Sequence, residues 1–490
     1  MIQKFFRNAG VMAVAEMIAR IKGVIVLPLL TRHLGPLDFG VWSQVSMIAL
    51  LLSPLLSLGS EQGMLRILPG LPFEKQYRMF LAWMLAALGG AAIFAALLIL
   101  ANSPVSVVIF GDAEYKRFVV LAAASLFTTL LPNAARAWLR IQNDGNTLAA
   151  ATVAQAMLGI VAVLSAIGLG AHVYGLVLLT LVGDLLLGVI FLALIVRRSG
   201  WFIPDFSILR PAVKFGLPLL PAAYAIWGLN WMDRLFLVHF QTLQDIGIYS
   251  AAYGLGYMII QVFVNPIWAL YPNSVAELHN RGDSAGVDRL LHTISYGILI
   301  LSVPAIAGLW ALCEPIMTVV AGPAFRSGAL VMPVVALAYL FHMLASFGDV
   351  AVGLTYRQHL ATASIVVAVI ANGSLNFLLV PSFGIMGAAF ATLGAFFVQL
   401  VFSTLMAARS GPFWRSFNEL YRISAAAAIM ALAIRVLDQS TGLSDVSRLL
   451  LFIPFGAVLY GGLAVAFGAI PRPYLKSAWT WLSVQRGPTA

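Results

Sequence analysis

The chain has 490 residues, of which 61% are hydrophobic and 10% charged, with a mean hydropathy of +0.94. Soluble domains average about 45–50% apolar and about 25% charged residues, so this composition excludes a water-soluble globular protein. The formal charge of +10 does not indicate a nucleic-acid partner, because the basic residues form no patch interleaved with aromatic residues. The single cysteine, Cys313, excludes a disulfide framework and a thiolate metal cluster.

Long apolar segments follow one another along the whole chain. A spanning helix needs about 20 mainly apolar residues to cross about 30 Å of hydrocarbon. This criterion predicts about fourteen spans, at 9–30, 39–59, 79–101, 118–136, 148–169, 173–196, 213–238, 247–271, 291–313, 329–353, 360–380, 386–408, 422–438 and 449–470. The first segment contains charged residues, unlike a cleavable signal peptide, so we expect it to remain as a spanning helix.

Basic residues predict the orientation of these helices. With a cytoplasmic N-terminus, the even-numbered links and both tails hold about 20 Lys and Arg residues and the odd-numbered links hold about 6. Lysine and arginine favour the cytoplasmic side of a membrane. We therefore predict a multi-pass membrane protein with both termini in the cytoplasm.

An internal repeat relates the first twelve helices. Two short segments recur at offsets of about 207 and about 212 positions, as expected for a duplicated structural unit. The matching pairs are Asp38 and Asp245, Gly40 and Gly247, Ser43 and Ser250, Gly175 and Gly387, and Thr180 and Thr392. Parallel repeats are related by an axis along the membrane normal, with the site at their interface near the midplane. We predict an N-terminal lobe at 1–200, a C-terminal lobe at 201–410, and helices 13 and 14 with a cytoplasmic tail at 411–490.

Three segments resemble a known family. IKGVIVLPLLTRHLGPLDFGVW (Ile21–Trp42) is similar to the opening of the Wzx-type polysaccharide-unit flippases, and Asn265–Asp283 and Asn376–Leu393 are similar to their later signatures. These flippases belong to the multidrug/oligosaccharidyl-lipid/polysaccharide exporter superfamily. The resemblance implies an all-α membrane protein with two pseudo-symmetric six-helix lobes around a central cavity, plus two extra C-terminal helices.

The resemblance also implies a function. A protein of this family would move undecaprenyl-diphosphate-linked oligosaccharide units to the periplasmic leaflet by alternating access, for O-antigen, lipopolysaccharide or exopolysaccharide synthesis. Its partners would be the lipid-linked oligosaccharide, membrane lipids, and polymerase or assembly proteins. Lipid-II flippases of the superfamily keep an arginine in the first helix at a place similar to Arg20.

Ionisable residues within the first helix are candidate cavity residues. Glu16 and Arg20 share one helix face, and Lys22 lies about 160° further round. A charge near the helix centre is disfavoured by about 2.5–3.5 kcal/mol, so it should face the bundle interior or water. We interpret the three as a cationic wall for a diphosphate, in which Glu16 tunes the charge or accepts a proton. A structural ion pair is the alternative.

Three charges in later helices are further candidates. Arg234 either lines the cavity or extends to the membrane interface, and Asp184 and Asp233 are candidates for ion or proton coupling. For Asp184 the alternative is a hydrogen bond to a serine or threonine on the next helix. Adjacent helical positions point apart, which predicts that Asp233 and Arg234 do not pair with each other. Asp349, near the end of the predicted helix 10, is assigned a structural role.

Two amides, Asn372 and Asn376, share one face of the predicted helix 11. They are candidates for binding sugar hydroxyls, and interhelical hydrogen bonding is the alternative.

Catalytic and nucleotide-binding motifs are not found. The sequence has no phosphate-binding GxxxxGK[ST] loop and no HExxH metal pair, which indicates no cofactor, no metal and no direct use of ATP. Two other functions stay open. One is an ion-coupled multidrug or small-molecule antiporter of the same superfamily, and the other is a membrane glycosyltransferase or polymerase. The predicted outer links are short for the second, since such an enzyme needs a substantial catalytic loop.

Overall fold

The computed structural model describes residues 2–268, 271–354, 358–407 and 419–470, and within these ranges the chain is all-α, without a strand. The helices of these ranges are α1 (Ile2–Leu56), α2 (Ser60–Ile67), α3 (Phe73–Leu100), α4 (Asn102–Phe110), α5 (Lys116–Ile141), α6 (Gly145–Gly168), α7 (Val173–Ser199), α8 (Leu209–Gly216), α9 (Leu220–Phe240), α10 (Leu243–Trp268), α11 (Tyr271–Asn280), α12 (Ser284–Ala311), α13 (Cys313–Val320), α14 (Val331–Leu354), α15 (Gln358–Ala407), α16 (Leu420–Ser440) and α17 (Asp445–Ala466). Short 3-10 segments lie at Ala113–Tyr115, Phe206–Ile208, Leu217–Leu219 and Pro323–Gly328. The predicted all-α class is confirmed.

Twelve stretches within the described ranges are long and apolar enough to cross a membrane. Two of these are pairs of helices joined at a glycine. Gly35 in α1 has φ +70° and Gly384 in α15 has φ +54°, a left-handed backbone that glycine adopts without a steric cost. Dividing each of these two stretches at its glycine brings the count within the described ranges to fourteen helical segments, roughly consistent with the about fourteen spans that the hydropathy pattern predicts. The chain is a multi-pass membrane protein.

Several described helices are too short to cross a membrane, and the span criterion does not predict them. They include α2, α4, α8, α11 and α13, which have 8–10 residues each. The predicted seventh span, 213–238, is divided, because Pro218 and Pro221 lie where α8 gives way to a 3-10 turn and then to α9.

The chain divides into two compact units, Met1–Ser250 and Ala251–Ala490. The first unit has an aromatic core, in which Tyr77, Phe80 and Trp83 of α3 pack against Trp138 of α5. In the second unit, Leu312 packs with Met430 of α16 and Phe452 of α17. The predicted lobes 1–200 and 201–410 and the segment 411–490 stay a prediction.

Candidate functional site

A cavity of about 490 Å³ lies within the first unit. Its walls come from the first half of α1, from α2, from the end of α5 and from the beginning of α6. The lining side chains are Met12, Ala19, Lys22, Glu61, Asn133, Arg136, Arg140, Leu148, Thr152, Gln155 and Ala156. Polar and basic groups outnumber apolar ones in this lining, although the helices that carry it are predominantly apolar. A polar cavity inside an apolar helix bundle is the expected form of a substrate pathway.

Three polar residues of α5 lie on one helix face because they are spaced by three and four positions. They are Asn133, Arg136 and Arg140. The Arg136 guanidinium is partly buried and donates hydrogen bonds to the side-chain oxygens of Asn133 and of Gln155 on α6. Both of these partners are neutral amides. They orient the guanidinium without neutralising its charge.

Lys22 adds a second cation from α1. Its side chain is partly buried and lies against Gly159 of α6, where a Cβ atom would overlap the ammonium group. Asp184 of α7 is the acidic residue whose charge acts on Lys22. The Gln155 amide donates a hydrogen bond of 3.4 Å to an Asp184 carboxylate oxygen, so Gln155 lies between Asp184 and Arg136.

Glu61 of α2 is the acidic residue of the cavity lining. Burial raises the pKa of its carboxyl group above the ordinary value, and the positive charges of Arg140 and Arg136 act in the opposite direction without cancelling the effect of burial. Three basic side chains therefore share the lining with one acid, whose pKa burial raises. This cavity is chemically suited to bind an anion.

Of the three candidate residues predicted in the first helix, the structure describes the side chain of one. Lys22 lines the cavity, whereas the side chains of Glu16 and Arg20 lie outside the described residues. Asp184 adjoins the cavity through Gln155. The cavity roles of these residues stay predictions.

Asp233 and Arg234 lie apart from the cavity lining, buried in α9 with exposures of 1% and 4%. The prediction that these neighbours do not pair is wrong, because Arg234 Nη1 lies 3.3 Å from Asp233 Oδ1. The arginine side chain is long enough to fold back along the helix, and burial leaves the carboxylate without water. The two side chains therefore meet despite their adjacent positions.

A compact network surrounds this ion pair. The Tyr249 hydroxyl donates to the second Asp233 oxygen, and Arg234 Nε donates to the Ser250 hydroxyl at 3.2 Å. The guanidinium also lies over the Trp231 ring at 4.5 Å. The pair is thus satisfied by charge, hydrogen bonds and an aromatic face within the first unit.

Asn372 and Asn376 belong to the second unit and are buried next to each other. The Asn376 amide donates to the Asn372 carbonyl oxygen at 2.9 Å and to its side-chain oxygen at 3.1 Å. Lys22 belongs to the other compact unit, the first. Their predicted contact with sugar stays a prediction.

Six polar cavity residues were not identified from the sequence: Glu61, Asn133, Arg136, Arg140, Thr152 and Gln155. Arg136 and Arg140 were counted among the basic residues that set orientation, since both follow an apolar span closely. The spacing of Asn133, Arg136 and Arg140 on one helix face is the signal that could have indicated a site. Among the described residues there is also no group of three potential metal ligands.

Twelve candidate spans within the described ranges and an interior cationic cavity define a polytopic helical membrane protein by its fold. The family model described as "Polysaccharide biosynthesis protein" matches residues 29–329, and the chain belongs to this family. The resemblance that the sequence motifs indicate is thereby confirmed.

One curated relative is the "Probable low-salt glycan biosynthesis flippase Agl15" of Haloferax volcanii. It is 21% identical over 274 residues, which cover 56% of this chain. The match spans 58% of the length of that relative.

Solved structures share the fold. The lipid II flippase MurJ in an inward closed conformation has a TM-score of 0.77 at 15% identity, covering 93% of this chain and 98% of that one. An inward-facing multidrug resistance MATE family transporter of the MOP superfamily has a TM-score of 0.59 at 15% identity, covering 82% and 97%. Both likenesses concern the fold.

Proposed function

We propose that this chain flips undecaprenyl-diphosphate-linked oligosaccharide units across the bacterial inner membrane by alternating access, for surface polysaccharide synthesis. The observation that carries this proposal is the cavity lined by Lys22, Arg136 and Arg140, in a member of the polysaccharide biosynthesis family. A diphosphate linked to a polyprenyl chain is an anion that must cross an apolar medium. Cations inside the bundle replace the water that the diphosphate loses.

The position of the cavity agrees with loading from the cytoplasmic leaflet. The predicted orientation places the end of α5 and the beginning of α6 at the cytoplasmic side, and these segments supply Arg136, Arg140 and Gln155. The N-terminal turn of α6 adds the positive end of its helix dipole. An incoming diphosphate would therefore meet fixed positive charge directly after entering the bundle.

The remaining candidates have roles in the same proposal. Arg20 and Glu16 would extend the cationic wall along α1. Asp184, Asp233 and Glu16 are the proposed coupling residues, because without direct use of ATP an ion gradient or the substrate gradient must drive export. Asn372 and Asn376 would bind sugar hydroxyls, and Arg234 would act on the substrate as a second-lobe cation.

An ion-coupled drug antiporter is the second candidate function, since the MATE transporter shares the fold. A cavity with three cations favours an anionic substrate over the cationic substrates that such an antiporter would export. A glycosyltransferase or polymerase is less favoured, because the curated relative is described as a flippase and the solved neighbours as a flippase and a transporter.

Deletion of the gene tests the proposal directly. We expect loss of the surface polymer and accumulation of complete lipid-linked oligosaccharide units in the cytoplasmic leaflet, measured by leaflet-selective labelling and mass spectrometry. Accumulation in the periplasmic leaflet would instead identify a polymerase. Normal polymer together with increased drug sensitivity would identify an antiporter.

A further inference from the structure

A second polar cluster lies within the spanning helices of the second unit and has no part in the proposed substrate site. Asp349 of α14 accepts a hydrogen bond of 2.7 Å from the Ser364 hydroxyl and one of 2.8 Å from the Ser403 hydroxyl. These hydroxyls bond to different carboxylate oxygens, Oδ2 and Oδ1 respectively. Ser364 and Ser403 are both buried. Within the described residues, no basic side chain forms an ion pair with Asp349.

The cluster extends to a second titratable group. Gln399 is buried, and its side chain lies within hydrogen-bonding reach of Asp349. Its Oε1 atom lies 2.8 Å from His342 Nδ1, so this nitrogen donates to it. His342 precedes Asp349 by seven residues on the same face of α14, which places the imidazole about 10 Å deeper along the helix. A carboxylate and an imidazole are therefore joined through one amide.

The two serine hydroxyls are arranged so that the carboxylate can accept a proton. Ser403 Oγ also lies 3.0 Å from the Ala345 carbonyl oxygen, and Ser364 Oγ lies 2.9 Å from the Ala361 carbonyl oxygen. Each hydroxyl hydrogen can turn from the carboxylate to a backbone acceptor without losing a hydrogen bond. Asp349 can then become neutral and donate its own proton to a serine oxygen. Both protonation states are satisfied by the same atoms.

The internal repeat allows the charges of this cluster to be compared with those on the equivalent helices of the first unit. At the repeat offset, α5, α6 and α7 of the first unit correspond to α14 and the two halves of α15 in the second. The first set carries the chain of Arg136, Gln155 and Asp184, which includes a fixed cation. The second set carries His342, Gln399 and Asp349, whose two ionisable side chains are of types that exchange a proton. Equivalent helices thus hold a permanent charge in one unit and exchangeable charges in the other.

Neighbouring helices contribute other titratable groups. From α11, the Tyr271 hydroxyl donates to the Phe347 carbonyl oxygen at 2.7 Å. The titratable residues of α12 are Asp288, Arg289, His292 and Tyr296. The side chains that act on the Asp349 carboxyl group in the described ranges are instead those of Ser364, Ser403 and Gln399. Arg357, which follows α14 in the sequence, lies outside the described residues.

We propose that Asp349 is a proton-binding site of this protein, coupled to His342 through Gln399. The predicted orientation places the end of α14 at the cytoplasmic side, so the proton would enter from there. This proposal does not rest on the proposed function, because a proton is its ligand and its test needs no oligosaccharide.

Infrared difference spectroscopy on the purified full-length protein between alkaline and acidic pH tests the proposal. We expect one component of the protonated-carboxyl band to be lost in Asp349→Asn and retained at a shifted frequency in Asp349→Glu. The His342→Gln variant should shift the pH at which this component appears. Asp288→Asn is the matched control, because it removes a carboxylate from α12 outside the cluster.

Two outcomes would overturn the assignment. The first is a band that is identical in the wild type and in folded Asp349→Asn protein, where folding is checked by size-exclusion chromatography and circular dichroism. The second is a component that Na⁺ abolishes at constant pH while K⁺ does not, since the site would then bind a metal cation in place of a proton. If Asp349→Asn does not fold, the Asp349→Glu frequency shift decides the test alone, and its absence refutes the proposal.

Discussion

The Ser43 hydroxyl donates a hydrogen bond of 3.0 Å to the hydroxyl of Ser250, the residue 207 positions later that the internal repeat pairs with it. Close beside them, Gly40 and Gly247 are the next matching pair. A Cβ atom on Gly247 would lie 2.9 Å from the Gly40 nitrogen and would overlap the Pro36 carbonyl oxygen. Contact between equivalent residues is the pattern that a two-fold relation produces at its axis. The second half of α1 and the start of α10 therefore cross through matching small residues.

Because the two helices cross so closely, a single methyl group added at Gly247 should have a large effect on the stability of the protein. Gly247→Ala should destabilise the protein strongly, because the atoms in the way belong to the backbone and cannot rotate aside. Gly254→Ala on the same helix is the matched control, since a Cβ there meets no atom within 4 Å. Thermal unfolding in detergent should show a lower midpoint for Gly247→Ala alone. Equal midpoints for the two variants would contradict the described crossing.

Arg136→Ala should abolish polymer export while leaving the amount of protein in the membrane unchanged. The guanidinium is oriented into the cavity by Asn133 and Gln155, so its removal takes away a fixed charge that the diphosphate would contact. Arg117→Ala is the control, because Arg117 lies near the other end of α5, over the rings of Phe118 and Tyr174. Polymer analysis of both strains measures the effect. Wild-type polymer with Arg136→Ala would remove this residue from the site.

Gly159→Ala should weaken binding of a lipid diphosphate without unfolding the chain. Its methyl group would displace the Lys22 ammonium, which ends a flexible side chain and can move. We expect a several-fold increase in the dissociation constant of a short-chain polyprenyl diphosphate, on the order of the loss of one ion contact, about 1 kcal/mol. Gly168→Ala on the same helix meets no atom within 4 Å and should bind normally. Isothermal titration calorimetry measures the dissociation constant for both variants, and equal values for the two would contradict the prediction.

Glu61 predicts a pH dependence of stability. Because burial raises its pKa in the folded protein, the folded state holds more protons than the unfolded state just above the ordinary carboxyl range. The Glu61 contribution to stability is therefore present at low pH and is lost as pH rises through the folded pKa. Glu61→Gln, which stays neutral, should become more stable relative to the wild type over this interval. A constant difference in unfolding free energy across the interval would argue against the buried position.

The same residue should affect the ligand. Glu61→Gln removes a negative charge from a cavity proposed to bind a diphosphate, so affinity at neutral pH should increase, and it should change less with pH than in the wild type. Binding titrations at several pH values measure both effects. Weaker binding by the variant would indicate that Glu61 contacts the ligand through a hydrogen bond.

Asp233→Asn should destabilise the protein by about 3–5 kcal/mol, because it leaves the buried Arg234 without its counter-charge. The double variant Asp233→Asn with Arg234→Met should recover much of this loss, since neither charge then remains buried. Glu74→Gln is the control, because its pair with Arg78 at 3.6 Å is exposed and should contribute less than about 1 kcal/mol. Chemical unfolding in detergent gives the three values. A single-variant loss no larger than that of the control would be inconsistent with a buried pair.

Hydropathy predicted the membrane fold well, because the number of spans follows directly from the length of apolar segments. The joints at Gly35 and Gly384 separate helices that the sequence already placed apart. The sequence-based prediction was wrong for an ion pair whose formation depends on the length and flexibility of a side chain. The adjacency of Asp233 and Arg234 indicated separation, yet a long arginine in a dry environment folds back to its neighbour.

The cavity was partly predicted. Lys22 was identified because a charge within a long apolar span is conspicuous. Arg136 was not identified as a site residue, because a basic residue near the cytoplasmic end of a span has the same pattern whether it sets orientation or lines a cavity. Glu61 lies between spans, where charge is ordinary. Tertiary packing, which brings α2 against the ends of α5 and α6, gives these residues their environment.

Gln155 lies between two opposite charges, the Arg136 guanidinium and the Asp184 carboxylate. Its oxygen accepts from Arg136, and its nitrogen donates to Asp184. Because the Gln155 amide is neutral, it keeps these two groups apart and preserves the electric field between them. A polyanion that enters the cavity would interact with that field. An Arg136–Asp184 pair in direct contact would instead present a dipole, which attracts an anion only weakly. The Gln155→Ala substitution would allow Arg136 and Asp184 to form a direct ion pair. The site would then attract an anion less, although every charge in it was still present.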